Sequence, residues 1–145
     1  IIQTLLDSKN GIGLAIDLEW EKMYQDKPKN IVDKVCNVFI ANNQITKIGY
    51  KENLGEPGKK TVGEFIGLAK FSKKAITDFL KIYLELEKSH NGKFHESLSV
   101  KEGIITDMLQ EFIDRNYRLN PIFISGKWCE IDTIDDLKNA RILFQ

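Results

Sequence analysis

The residues best placed to do chemistry are acidic and fall at the ends of apolar runs. In Trp128-Cys129-Glu130-Ile131-Asp132, two acids stand one position apart. On a strand, alternation would put Glu130 and Asp132 on one face. Thr133 opens a T-x-x-D pattern that closes at Asp136, a relative of the helix-capping box, so a helix is expected right after Asp132. A carboxylate at the C-terminal end of a strand sits where open α/β sheets bind ligands, which makes Asp132 a candidate metal ligand, the other reading being a capping acid beside a surface Glu130. Asp17 ends a second apolar run, Gly13-Leu14-Ala15-Ile16-Asp17-Leu18. Buried strands rarely hold an Asp without a partner, and two such strand ends can lie side by side. Mg²⁺ suits a site of this kind, built from one or two carboxylates with substrate phosphates and water.

Three further charged residues have two readings each. Glu64 interrupts the apolar run between Gly63 and Phe65, either as an exposed position on an edge strand or as an acid facing a ligand. Lys70, two residues before a helix cap at Ser72, is either solvated or answers a phosphate. Asp107 breaks the face Ile104-Ile105-Met108, either complementing a helix dipole or pointing into a pocket. Trp20, Tyr24 and Trp128 read first as packing residues, and as an aromatic cage if an amine must be bound.

Other chemistries are disfavoured. Gly11-Ile12-Gly13 precedes a strand instead of following one, so it is no dinucleotide fingerprint. No serine occupies a G-x-S-x-G elbow. His90 and His95 flank a polar stretch and read as solvent-exposed loop residues. Lys+Arg and Asp+Glu number 21 each, which gives no basic stripe for a nucleic acid. No apolar run approaches the length of a membrane span. The isolated Cys36 and Cys129 read as reduced thiols of a cytoplasmic protein.

These residues need a scaffold, and 145 residues suffice for one domain with a core. A short helix ends near Asn10-Gly11, followed by the strand from Gly13 to Leu18. Residues 19–30 read as a loop. Strands at 35–40 and 44–50 flank Ala41-Asn42-Asn43, and because Asn tolerates positive φ this reads as a β-hairpin. Residues 51–60 read as a loop or flap. A strand over 63–71 leads into a helix whose Ala75, Ile76, Phe79, Leu80, Tyr83 and Leu86 recur at three and four. A second amphipathic helix carries Ile104, Ile105, Met108, Leu109, Phe112 and Ile113. Pro121–Ile124 and Trp128–Asp132 are expected to supply the last strands. The final helix is expected to bury Ile134, Leu137, Ala140 or the stem of Arg141, and Leu143-Phe144. Strands alternating with long helices indicate an α/β sandwich.

Four blocks in this order resemble the sugar-phosphate nucleotidyltransferase superfamily in its C-terminal half. They are Ala15-Ile16-Asp17-Leu18-Glu19-Trp20, then Gly63-Glu64-Phe65-Ile66-Gly67-Leu68-Ala69-Lys70-Phe71-Ser72, then Thr106-Asp107-Met108-Leu109-Gln110-Glu111, and finally Trp128 to Thr133 with Asp135-Asp136-Leu137 and Ala140. The resemblance is closest to phosphocholine and 2-aminoethylphosphonate cytidylyltransferases, including those fused to phosphoenolpyruvate phosphomutases. It implies a Rossmann-like, three-layer α/β fold of the GT-A type with a mixed sheet. The family's N-terminal half brings a G-x-G-x-R loop for the triphosphate, a following Lys and a first metal-binding Asp, none of which occurs in these residues. Residues 1–145 are therefore expected to form the acceptor-binding part of the domain, inactive alone.

The implied reaction is Mg²⁺-dependent transfer of a nucleotidyl group, from CTP by branch resemblance, to a small phosphate or phosphonate acceptor. The resemblance gives the metal to Asp132, supported by Asp17 or Glu130. It makes Lys70 the group that neutralises the acceptor phosphate, and Glu64, Asp107 and the aromatics, Trp128 among them, the groups around the acceptor's other end. The alternative is a catalytically silent remnant of that fold, used for binding or oligomerisation. Loss of neighbouring strands would leave 13–18 as an exposed edge, so self-association, or association with a missing N-terminal half, is expected.

Overall fold

The computed structural model describes the whole chain except Asn10, Asp26, Gly126, Lys127, Asp132 and Gln145. It is a mixed five-stranded sheet with helices packed on it. The strands are β1 (Ile12–Asp17), β2 (Cys36–Ala41), β3 (Gln44–Tyr50), β4 (Thr61–Phe71) and β5 (Asn120–Ile124). Their order across the sheet is β3-β2-β4-β1-β5. β5 runs parallel to β1, whereas β4 is antiparallel to both β1 and β2.

Every residue of β1 is buried, as its unbroken apolar run requires. That burial comes from two flanking strands, so β1 is not the exposed edge expected from the sequence; β5 closes that side. Asn42 (φ 51°) and Asn43 (φ 54°) both take left-handed backbone between the paired Ala41 and Gln44. This is the two-residue turn that matches strand twist. β4 is long enough to pair on both sides, and its register with β1 slips beside Gly67, whose φ is +81°.

The helices are α1 (Ile2–Asp7), α2 (Lys29–Val32), α3 (Lys51–Leu54), α4 (Lys73–Ser89), α5 (Ile105–Asp114) and α6 (Ile134–Leu143). Ser72 caps α4 by accepting from the Ala75 amide. Ile12, Leu14 and Ile16 form the core with Phe65, Ile82, Leu86, Met108, Leu109 and Phe112. Only part of each expected helical stripe is inside: Ile76 and Leu80 on α4, and Ile104 and Ile105 before and on α5, are exposed. α1 approaches the opposite sheet face, where Ser8 Oγ would lie 3.5 Å from a Cβ on Gly13.

Two expectations for the C-terminal segment fail. Residues 128–131 join no strand, so Glu130 has no ladder to set its face. α6 buries Ala140 alone, while Ile134, Leu137, Leu143 and Phe144 stay exposed because little of the chain packs on that helix. Its start is as expected: Thr133 and Asp136 form a reciprocal capping box. Among the described residues no helix is long and apolar enough to cross a membrane.

Candidate functional site

Strand register assembles the site. Asp17 on β1 lies directly opposite Glu64 on β4, and Glu64 lies directly opposite Asn37 on β2. Directly opposed residues project to the same face, so three polar side chains form one row across three strands. Their neighbours Ile16, Phe65 and Val38 point the other way, into the core. The row sits at the C-terminal end of β1, where sheets of this class leave a crevice.

All three residues are buried, with relative exposures of 1% for Asp17, 5% for Glu64 and 1% for Asn37. Asp17 is fully engaged. Its Oδ1 accepts from the Glu19 amide at 2.8 Å and its Oδ2 from Trp128 Nε1 at 2.6 Å. Trp128 is thereby tied to the strand end although its own segment forms no strand. Tyr24 reaches the row from the 3₁₀ turn Trp20–Tyr24, donating its hydroxyl to Glu64 Oε1 at 2.7 Å. Asn37 Nδ2 donates to the Gly63 carbonyl at 3.2 Å. Among the described residues two buried acceptors then remain without a donor, Glu64 Oε2 and Asn37 Oδ1.

Burial pushes the Glu64 carboxyl up to about 7; the Tyr24 hydrogen bond opposes this, and the charges of Glu130 and Asp17 add to it. Glu64 is thus poised between neutral acid and carboxylate near neutrality. Burial, with the charges of Glu96 and Glu64, pushes the Cys36 thiol up to about 12, which removes it as a nucleophile. Gly63 is the packing hinge of the row. A Cβ there would lie 2.4 Å from Ile16 Cγ2 and 3.2 Å from the Asp17 carbonyl oxygen.

Beside the row opens a cleft of about 410 Å³, lined by Lys22, Met23, Tyr24, Lys27, Trp128 and Glu130 among others. That volume suits a small ligand. Its basic groups are partly engaged: Lys27 pairs with Asp136 at 3.0 Å and Lys22 with Glu19 at 2.7 Å. Trp20, only 3% exposed, packs on Tyr24 at 6.1 Å with Lys51 over its ring, and so supports the cleft without lining it.

The other sequence candidates separate. Lys70 lies opposite Gly13, at the far end of β1 from Asp17, and donates to the carbonyls of Leu6 and Ser8. It ties down the end of α1 and stands apart from the row. Asp107 is buried elsewhere, accepting from the Glu96 amide, Ser97 Oγ and the Ile104 amide at 2.9, 2.6 and 3.0 Å. Both of its readings are met away from the row: Asp107 fixes the start of α5 and the loop before it, and it also lines a separate cavity of about 280 Å³ with His95, Glu96 and Gln110. Asp132, the expected metal ligand, lies outside the described residues. Asn37 was not singled out from the sequence, because a polar residue in Val35-Cys36-Asn37-Val38 looks the same whether it faces a site or solvent. Lys22 and Lys27 were hidden in a stretch read only as loop.

No protein-family model matches the chain. Over 137 residues it is 24% identical to the CTP:phosphoglutamine cytidylyltransferase of Campylobacter jejuni, a match covering 94% of this chain and 52% of that protein. Its structure superposes on the inositol-1-phosphate CTP transferase from T. maritima with a TM-score of 0.54 at 21% identity, over 95% of this chain and 46% of that one. The fold is nucleotidyltransferase-like. The chain spans about half the length of each of these proteins. Within this fold, the Asp17–Glu64 row and its cleft stand at the C-terminal end of a central strand.

Proposed function

We propose that this chain forms the acceptor-binding side of a Mg²⁺-dependent cytidylyltransferase, which moves a cytidylyl group from CTP to a small phosphate or phosphonate and releases pyrophosphate. The observation that carries the reading is the buried Asp17–Glu64 pair, held by Trp128 and Tyr24 beside a cleft. The similarity to two CTP-using transferases supports it.

The site's carboxylates and amide carbonyl form an oxygen-only donor set with one carboxylate oxygen unpartnered among the described residues, which suits a hard cation. Asp132, with Asp17 or Glu130 in support, would hold Mg²⁺, whose chemistry is to offset the charge of the triphosphate. An acceptor phosphate is already largely ionised near neutrality, its second pKa being about 6, so no general base is required. One of its oxygens attacks the α-phosphorus, and the bond to the bridging oxygen breaks, leaving pyrophosphate with the electron pair. Lys22 and Lys27, in place of Lys70, would steer the acceptor's phosphate. Trp128, Tyr24, Glu130 and Glu64 would bind its other end, where carboxylates and rings favour an amine.

The test is pyrophosphate release by the native full-length protein with CTP and Mg²⁺. The acceptors are phosphocholine, 2-aminoethylphosphonate, phosphoglutamine, inositol 1-phosphate and sugar 1-phosphates. Turnover with one acceptor, abolished by Asp132→Ala and impaired by Asp17→Asn, is expected. Silence with every acceptor from folded protein would sink the transferase reading and favour a catalytically silent binding or oligomerisation remnant.

A further inference from the structure

A second group of ligating side chains lies away from this cleft, where the loop after α4 meets α5. His95 holds a left-handed backbone, φ +49°. Its Nε2 is 3.0 Å from Glu111 Oε2, and its Nδ1 is 4.0 Å from Asp114 Oδ2. One ligand atom from each of the three residues lies within 4.8 Å of the other two. Glu111 and Asp114 are three apart on α5 and so share a face.

Each carboxylate is held from behind by its other oxygen. Arg115 Nε donates to Glu111 Oε1 at 2.7 Å, and the same guanidinium is anchored to Glu85 Oε1 of α4 at 3.3 Å. Gln110 Nε2 donates to Asp114 Oδ1 at 2.7 Å, while Gln110 Oε1 accepts from the Ile48 amide at 2.9 Å. The oxygens left over are those that face the imidazole. Outer-shell donors that orient ligand oxygens in this way are characteristic of protein metal sites. Within this ion-paired cluster the carboxylates of Glu85, Glu111 and Asp114 face the single guanidinium of Arg115 and the His95 imidazole, while Lys93 lines the cavity beside His95.

We propose that His95, Glu111 and Asp114 bind a zinc-class divalent cation through one imidazole nitrogen and two carboxylate oxygens. A nitrogen in the set favours zinc over magnesium. Ligand atoms on a tetrahedral zinc lie about 3.3 Å apart, so from separations within 4.8 Å a closure of up to roughly 1.5 Å completes the site. Asp114, whose side chain is 54% exposed, has room to make that movement together with Gln110, which holds its other oxygen. The bound ion would clamp the loop that carries His95 to α5 and, through Gln110, to the backbone of β3.

The competing account is an imidazolium paired with two carboxylates, needing no metal. Chelator-stripped, tag-free protein is titrated with Zn²⁺ by calorimetry and with Co²⁺ by visible absorption. A single site with tetrahedral Co²⁺ bands is expected, with no competition from Mg²⁺. His95→Asn, whose new residue tolerates the positive φ, is expected to weaken binding at least about tenfold, as even lost supporting residues do. Asp114→Asn, which keeps an oxygen for Gln110, is expected to weaken it similarly, and His90→Asn to leave it unchanged. Absence of Zn²⁺ uptake by the folded wild-type protein would overturn the proposal. So would full binding in folded His95→Asn or Asp114→Asn.

Discussion

Replacing Glu64 with Gln tests the electrostatics of the row most directly. Glu64 is buried with one carboxylate oxygen unpartnered among the described residues, and its carboxyl is pushed up to about 7 from 4.5. A carboxyl whose pKa is raised on folding binds more protons in the folded state across that interval. Its contribution is therefore fully present below the unfolded value and is lost as pH rises through about 7. At 1.36 kcal/mol per pH unit of displacement, the loss amounts to about 3 kcal/mol by pH 8. Gln has the shape of the neutral acid and still offers an oxygen to the Tyr24 hydroxyl, but it cannot ionise. Urea denaturation midpoints from pH 5 to 8.5 should fall for wild type and stay nearly level for Glu64→Gln, with the two converging near pH 5. Parallel pH profiles would refute the reasoning, because Glu64 would then be ionised throughout or titrating identically when unfolded.

Three other outcomes follow from the geometry. Gly63→Ala forces a Cβ against Ile16 and the Asp17 backbone and should cost about 1–3 kcal/mol, read by thermal or urea unfolding. Asp107→Ala strands two backbone amides and the Ser97 hydroxyl; it should destabilise by about 3 kcal/mol or more and speed proteolysis of the loop before α5. Lys70→Met should lower stability by about 1 kcal/mol through loosening of α1, with no change in acceptor KM in any active full-length form, whereas a phosphate-binding role would raise KM.

Local chemistry was legible in the sequence because it acts over three or four residues. Thr133 caps α6 through its bond with Asp136, Ser72 caps α4, and Asn42-Asn43 turns the β2–β3 hairpin, each as the residue types dictate. The apolar run around Asp17 announced a buried strand. The likeness of the four blocks to nucleotidyltransferases agrees with the fold seen. The same local pattern could not choose between edge and centre for Glu64, nor between pocket and loop anchor for Asp107, since both readings use identical neighbours in sequence.

Long-range register decided the rest. Antiparallel pairing brings Glu64 beside Asp17 and by the same count carries Lys70 to the opposite end of the strand, beside α1. Trp128 meets Asp17 through a side-chain contact that no spacing rule encodes. His95, read from sequence as a solvent-exposed loop residue, meets Glu111 because the loop folds back on α5. Sequence fixes which residues can ionise, cap or pack; which of them meet is set by strand pairing and chain return, where one position of register moves a side chain to the other face of the sheet.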